Sequence, residues 1–290
     1  MKRGSIGGQA VIEGVMLRSP QRQAVAVRRP QGDIVTQVSS LTSLARRWPL
    51  LGLPLIRGVA VLYESLSGAV SSLALSANLA EPEEEMSTGQ LALVAVFSLV
   101  LGVALFFLLP VVLVSLLARW FSLGSLGQNL AEGLVRVALF VGYLLLVSLA
   151  KDIRRTFEYH GAEHKVIACW EQGKPLTPAE AAGCSRLNPR CGTSFLLLVV
   201  VLSIVLYSFF TPANIWVKLG LRLAFLPLLA GLSYELMKWT AKSSSRGARL
   251  LLAPGLALQK LTTREPDAPQ LEVALAALAA IIDREESQGL

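Results

Sequence analysis

Apolar and polar residues alternate along this chain on two different scales. The longer one is that of membrane helices. A spanning helix needs about 20 mostly apolar residues, and four segments meet that. Residues 91–117 carry no charge, and Pro110 is placed to kink the helix they form. Residues 192–217 are also uncharged. Residues 131–150 contain Glu132 and Arg136, i,i+4 neighbours able to pair near one end. Residues 219–239 contain Arg222 and Glu235, one near each end. Residues 50–80 are rich in Leu, Val, Ala and Ser but include Arg57 and Glu64. They read as an interfacial or re-entrant helix, or one packed on the bundle, in preference to a fifth span.

The shorter scale governs the two ends of the chain. Residues 9–17, 23–27 and 33–38 alternate with a period of two and read as strands of a small antiparallel sheet, with Gln31-Gly32 as the turn between the last two. From Asp267 onward, Leu271, Ala274, Leu275, Leu278, Ile281 and Ile282 recur at helical spacing. Asp267 with Gln270 three residues on forms a capping box at the start of that helix. The helix reads as docking on the rest of the protein. The predicted fold is therefore a mainly α membrane protein. It comprises a β-rich segment (1–49), an interfacial or re-entrant helix with an acidic linker from Glu81 to Glu85 (50–90), two transmembrane helices (91–150), a polar loop (151–191), two more transmembrane helices (192–240) and a C-terminal segment with an amphipathic helix (241–290).

Composition agrees with the pattern. Hydrophobic residues make up 53% of the chain and charged ones 16%, at a mean hydropathy of +0.55, whereas soluble domains carry roughly 25% charged residues. The net charge of +7 would suggest nucleic acid in a soluble protein. In a membrane chain the positive-inside bias and contact with anionic lipid headgroups account for it, and nucleic acid is not expected. Residues 1–90 hold nine Lys and Arg, and the four polar stretches that follow hold two, seven, two and seven of the total of 27. This alternation predicts that both termini and the large central loop are cytoplasmic. Trp120, Trp216 and Trp239 fall at helix ends, as an aromatic belt requires. The opening residues include Lys2 and Arg3 but no apolar stretch, so no cleavable signal peptide is expected. Cys169, Cys184 and Cys191 share the central loop, in a compartment where structural disulfides are rare.

Candidate chemistry is concentrated in that loop. Both histidines of the chain lie in His160-Gly161-Ala162-Glu163-His164. On a helix, positions i and i+4 share a face and i+3 lies beside them. His160 and His164 can then hold one divalent metal, with Glu163 as general base, in the geometry of an inverted zincin motif. Gly161 costs this helix about 1 kcal/mol relative to alanine. Cys191 and Glu235 are the candidates for completing the ligand set, with Cys184 a further thiol nearby in sequence. A salt bridge to Lys238 is the alternative use of Glu235. Thr193 or Ser194 can cap the helix that follows Cys191, beside Arg186 and Arg190. That is an anion site in principle, with simple capping as the plainer reading.

Four separated motifs resemble the bacterial YqhQ family: Gly7-Gly8-Gln9-Ala10-Val11-Ile12-Glu13-Gly14-Val15-Met16, His160-Gly161-Ala162-Glu163-His164-Lys165, Pro189-Arg190-Cys191-Gly192-Thr193-Ser194-Phe195 and Leu261-Thr262-Thr263-Arg264-Glu265-Pro266-Asp267. The resemblance runs essentially end to end. It implies a multi-pass protein of the bacterial inner (cell) membrane, of unknown function and sometimes labelled a metal-dependent enzyme. Its site would be His160, Glu163, His164 and Cys191. One departure matters: the family pattern has a histidine where this chain has Asn188, and asparagine is a poor zinc ligand. Three functions compete. The first is a metal-dependent hydrolase, with zinc the leading metal. The second is a non-enzymatic scaffold or assembly factor with a closed structural metal site, for example His160, His164, Cys184 and Cys191. The third is a transporter, weakened by the lack of charges at the centre of any clear span and of an inverted repeat.

Overall fold

The computed structural model describes residues 6–80, 88–118, 120, 124–210, 212, 214–243 and 245–286. The acidic linker at residues 81–85, the opening cations Lys2 and Arg3, and Arg119 lie outside them.

The chain opens with β1 (Gly7–Val11), β2 (Gly14–Arg18), β3 (Arg22–Arg28) and β4 (Ile34–Ser40), an antiparallel sheet in sequential order. The run 9–17, expected as one strand, is two. Val11 pairs with Gly14 across a turn at Ile12–Glu13. Alternation continues through this turn, and it carries none of the usual Asn-Gly or Asp-Gly signals. Glu13 itself takes the left-handed conformation, φ 50°. Its carboxylate is tied to the Arg155 guanidinium and to the Tyr159 hydroxyl at 3.3 Å. The other turn is as expected: Gly32 has φ 95° and donates its N–H to the Arg29 carbonyl at 2.9 Å.

Both faces of this sheet are covered, which is why its central strands are apolar on both sides. Val15, Leu17, Ala24 and Ala26 face one core. Met16, Val25 and Val27 face another, against Leu75, Leu79 and Ala80. The second core belongs to α2 (Ile56–Ala80), which follows a short helix α1 (Leu44–Arg47) and a 3-10 turn (Pro49–Gly52).

Next come α3 (Thr88–Val103), a π-helical turn (Ala104–Leu108), α4 (Leu109–Leu117), α5 (Ser125–Val147), α6 (Lys151–Glu171), α7 (Pro178–Ala182) and α8 (Gly192–Ser208). The chain ends with α9 (Ile215–Ala224), α10 (Leu226–Thr240), α11 (Arg246–Thr262) and α12 (Ala268–Glu286). The capping box forms as read. The Asp267 N–H donates to Gln270 Oε1 at 3.0 Å, and the Gln270 N–H donates to Asp267 Oδ1 at 2.8 Å. Leu271, Ala274, Leu278 and Ile281 are fully buried in the first core, so α12 docks on the sheet and on α6.

Among the described residues, three helical runs are long and apolar enough to cross a membrane: Ile56–Ala80, Ala92–Leu117 and Leu126–Val147. The pair α9–α10, bent by 42°, makes a fourth if it is one span. Leu93, Phe97 and Val100 are each more than 60% exposed, so α3 turns its apolar side chains outward. This differs from the four expected segments in two places. Residues 192–217 yield a helix of only 17 residues, Gly192–Ser208, whereas the 50–80 segment qualifies by length and composition. Arg57 costs that helix little, because it sits in the first turn and pairs with Glu235. The bend between α9 and α10 falls where Pro227 has no N–H to give to Leu223.

The expected Glu132–Arg136 pair is replaced by longer-range contacts. Glu132 meets Lys218 and Arg222. Arg136 donates from Nε to the Phe106 carbonyl at 2.8 Å. Pro110 explains this second choice: it lacks the N–H that an α-helix would present to Phe106, and the chain winds through the π turn there instead of simply kinking.

Candidate metal centre

The central loop is largely helix. α6 places His160, Glu163 and His164 on one inward face, in contact with the segment that follows α11. This contact is unusually close. A Cβ on Gly161 would lie 1.9 Å from the Arg264 carbonyl oxygen, so glycine is required where the two backbones meet. The Arg264 N–H donates to the Phe157 carbonyl at 2.8 Å, and locks the same contact from one turn earlier. Gly8 on β1 makes similar room beneath Glu163, whose Cγ would lie 3.0 Å from a Cβ there.

Both imidazoles are oriented by backbone. His160 Nδ1 lies 2.8 Å from the Thr262 carbonyl and His164 Nδ1 2.6 Å from the Arg186 carbonyl. A carbonyl oxygen only accepts, so each Nδ1 carries a proton, and in the neutral ring the lone pair is then on Nε2. The two rings stand 4.4 Å apart between centroids. Cys191 Sγ is 3.3 Å from His160 Nε2, and the ligand atoms of His160, His164 and Cys191 all lie within 4.8 Å of one another. Cys191 is fixed as the N-cap residue of α8, in place of the expected Thr193 or Ser194. The preceding loop is clamped by Gln259, which is fully buried. Its Oε1 accepts from the Asn188 N–H at 2.8 Å, and its Nε2 donates to the Asn188 carbonyl at 2.7 Å and to Ser194 Oγ at 2.9 Å.

Glu163 is 3% exposed, and its Oε2 lies 3.9 Å from both histidine Nε2 atoms. Burial pushes its carboxyl up to about 7, with nearby His160 pulling the other way. Its neighbours in sequence do not claim it. Lys165 Nζ meets Glu265 at 2.9 Å and the Ala182 carbonyl at 2.6 Å, and Arg155 holds Glu13. A cavity of about 230 Å³ opens beside His164, lined also by Ile167, Leu187, Asn188 and Arg190.

Two sequence candidates are not brought here. Glu235 forms a two-point pair with Arg57, Nε to Oε1 at 2.6 Å, and accepts from the Leu55 N–H; it does not join the histidines, and its close ion pair is with Arg57, with Lys238 acting at longer range. Cys184 is buried away from the cluster, its Sγ 3.4 Å from the Glu180 carbonyl. It lies close to Cys169, whose thiol is pushed up to about 11 by burial and by Cys184. The arginines of the suspected anion site are paired as well, Arg190 with Glu171 and Arg186 with Glu265. Gln259 and Thr262 escaped sequence reasoning. Thr262 lies within the motif at 261–267 but had no site role there, and Gln259 had only proximity to that motif as a signal.

The donor set fits a divalent ion. Two imine nitrogens and a thiol face one another with orienting carbonyls behind them, the arrangement by which proteins fix metal-binding imidazoles. Nitrogen with sulfur suits zinc among common ions.

Fold and site together define a mainly helical protein with helices apolar enough for a membrane and a histidine–cysteine cluster beside a small sheet. The profile of a family described as "Protein of unknown function (DUF1385)" matches residues 53–284. The chain is also 36% identical over 290 residues to "Uncharacterized protein YqhQ" of Bacillus subtilis (strain 168), covering 93% of this chain and 89% of that one. The chain belongs to this DUF1385/YqhQ family. No solved structure matches it.

Proposed function

We propose that this protein is a metal-dependent hydrolase of the bacterial inner (cell) membrane, with both termini and the His160–His164 site on the cytoplasmic side. The observation that carries the reading is the convergence of His160 Nε2, His164 Nε2 and Cys191 Sγ within 4.8 Å of one another, with the Glu163 carboxylate 3.9 Å from both imidazoles. His160, His164 and Cys191 would hold the ion, which supplies Lewis acidity toward a substrate carbonyl or phosphoryl oxygen. Glu163 Oε2 accepts a proton from the attacking water and returns it to the leaving group. The Thr262 and Arg186 carbonyls keep the imidazoles in the required tautomer.

The scaffold reading needs a fourth protein ligand. Cys184, its best candidate, has its sulfur against Glu180. Three donors with a carboxylate alongside is the pattern of catalytic zinc, which keeps one position open. Contact with anionic headgroups is supported by a second cavity of about 390 Å³ beside Ser148, the C-cap of α5, where Arg154, Arg186, Lys260 and Arg264 outnumber the two carboxylates, Glu158 and Glu265.

The test is hydrolysis of p-nitrophenyl esters and phosphates by the zinc-loaded, detergent-purified protein. The wild type is expected to accelerate at least one of them. Glu163→Gln is expected to lose about 10²- to 10⁴-fold in rate while keeping its zinc. No acceleration of any probe, or equal rates in the variant, would leave the scaffold reading in its place.

A further inference from the structure

Far from the histidines, four charged side chains are buried in the helical bundle: Glu132 and Arg136 of α5, and Lys218 and Arg222 of α9, at 2%, 1%, 6% and 1% exposure. Arg136 is near the middle of the Leu126–Val147 run. Their charges do not balance. Glu132 is shared between Lys218 and Arg222, the latter at 2.9 Å. Among the described residues Arg136 finds only neutral acceptors, the Phe106 carbonyl at 2.8 Å and Ser203 Oγ at 2.5 Å. Glu235, the other carboxylate among the described residues of α3–α5 and α8–α10, is committed to Arg57. Three cations therefore face one carboxylate.

Glu132 Oε1 makes no hydrogen bond but is held in the ion pair with Lys218, and the atoms left over on the other side of the cluster are donors. Arg136 Nη2, Arg222 Nε and Asn129 Nδ2 are buried donors that meet no acceptor among the described residues. Asn129 has already given its oxygen to Arg222 Nη2, at 2.9 Å. Tyr207 binds the group together: the guanidinium carbons of Arg222 and Arg136 lie 3.9 and 5.7 Å from its ring centroid. Its hydroxyl donates to the Arg222 carbonyl at 2.9 Å. A π face eases a buried cation in part. Water can satisfy an orphan N–H, but it cannot cancel a surplus charge, and buried surplus charge is strongly disfavoured.

We infer that the bundle binds a small inorganic anion, a halide or compact oxyanion, between Arg136, Arg222 and Asn129. The spare groups on Arg136, Arg222 and Asn129 are donors, and Glu132 Oε1 is occupied by Lys218, so the ligand must be acceptor-only. The near-zero exposure of the cluster excludes a lipid headgroup.

The test uses the full-length protein in lipid nanodiscs, with thermal unfolding followed as chloride or nitrate replaces gluconate at constant ionic strength. The wild type is expected to gain stability saturably with the small anions. Asn129→Asp is nearly isosteric and tethers a carboxylate at the site. It is expected to be more stable than wild type in gluconate and to bind chloride about tenfold or more weakly. Arg136→Met removes one surplus charge at similar volume and is expected to weaken the anion dependence likewise. Equal unfolding temperatures in all three anions would overturn the proposal. So would an anion effect that both variants leave intact, which would assign the ion to another part of the surface.

Discussion

Two buried polar clusters in this chain are opposite in electrical character. On α6, two imidazole lone pairs, a thiol and a carboxylate converge. In the bundle, three buried cations share one carboxylate, which pairs with two of them, and Arg136, Arg222 and Asn129 keep spare donors. The bundle cluster leaves donors of Arg136, Arg222 and Asn129 buried without partners, against the rule that buried polar groups find them. The first offers ligand atoms of the kind a cation takes, and the second offers hydrogen-bond donors of the kind an anion takes. Both are held by backbone geometry of unusual kind: the Gly161–Arg264 contact for one, and the π turn before Pro110 for the other.

The largest expected difference between them is in their glutamates. Glu132→Gln removes the one carboxylate from three buried cations and is expected to cost roughly 3–5 kcal/mol in unfolding free energy. Glu163→Gln breaks no ion pair with Lys or Arg, and is expected to cost under about 1 kcal/mol. Denaturant titration in detergent compares the two, and equal costs would break the contrast. Gly161→Ala comes next. It forces α6 away from Arg264, with an expected loss of roughly 1–3 kcal/mol and of metal retention too, because His160 loses its Thr262 anchor. Asp267→Ala is expected to cost about 1 kcal/mol through the lost cap, with metal content unchanged.

Cysteine labelling sharpens the site assignment. Alkylation at neutral pH is expected at Cys191 first and at Cys169 last, since the Cys169 thiol is both buried and pushed up to about 11. Zinc is expected to protect Cys191 alone. The smallest effect concerns Glu235→Gln, which is expected to leave metal content as in the wild type because Glu235 serves Arg57. A loss of metal there would return it to the ligand set.

What the sequence revealed was local. The Asp267–Gln270 box, the α12 stripe and the His160–His164 spacing each lie within a few turns of one helix, where periodicity is informative. The first hairpin was hidden because Ile12-Glu13 is not a usual turn pair and is held by Arg155, far along the chain. The partners of Glu132, Arg136 and Glu235 were hidden for the same reason: each lies on another helix, while a neighbour three or four residues away offered a nearer explanation. Thr262 and Gln259 contribute to the site through a backbone carbonyl and a buried amide. Neither role leaves a trace in residue type.

The central claim is that the α6 cluster holds a cation, and the most direct measurement is metal content. Untagged protein, purified in detergent and supplied with zinc, is analysed by elemental mass spectrometry beside His160→Ala, His164→Ala and Cys191→Ser. The expected result is about one zinc per chain in the wild type, lost in all three variants and kept in Glu132→Gln. A well-folded wild type without metal, or one whose metal survives all three substitutions, would contradict the account.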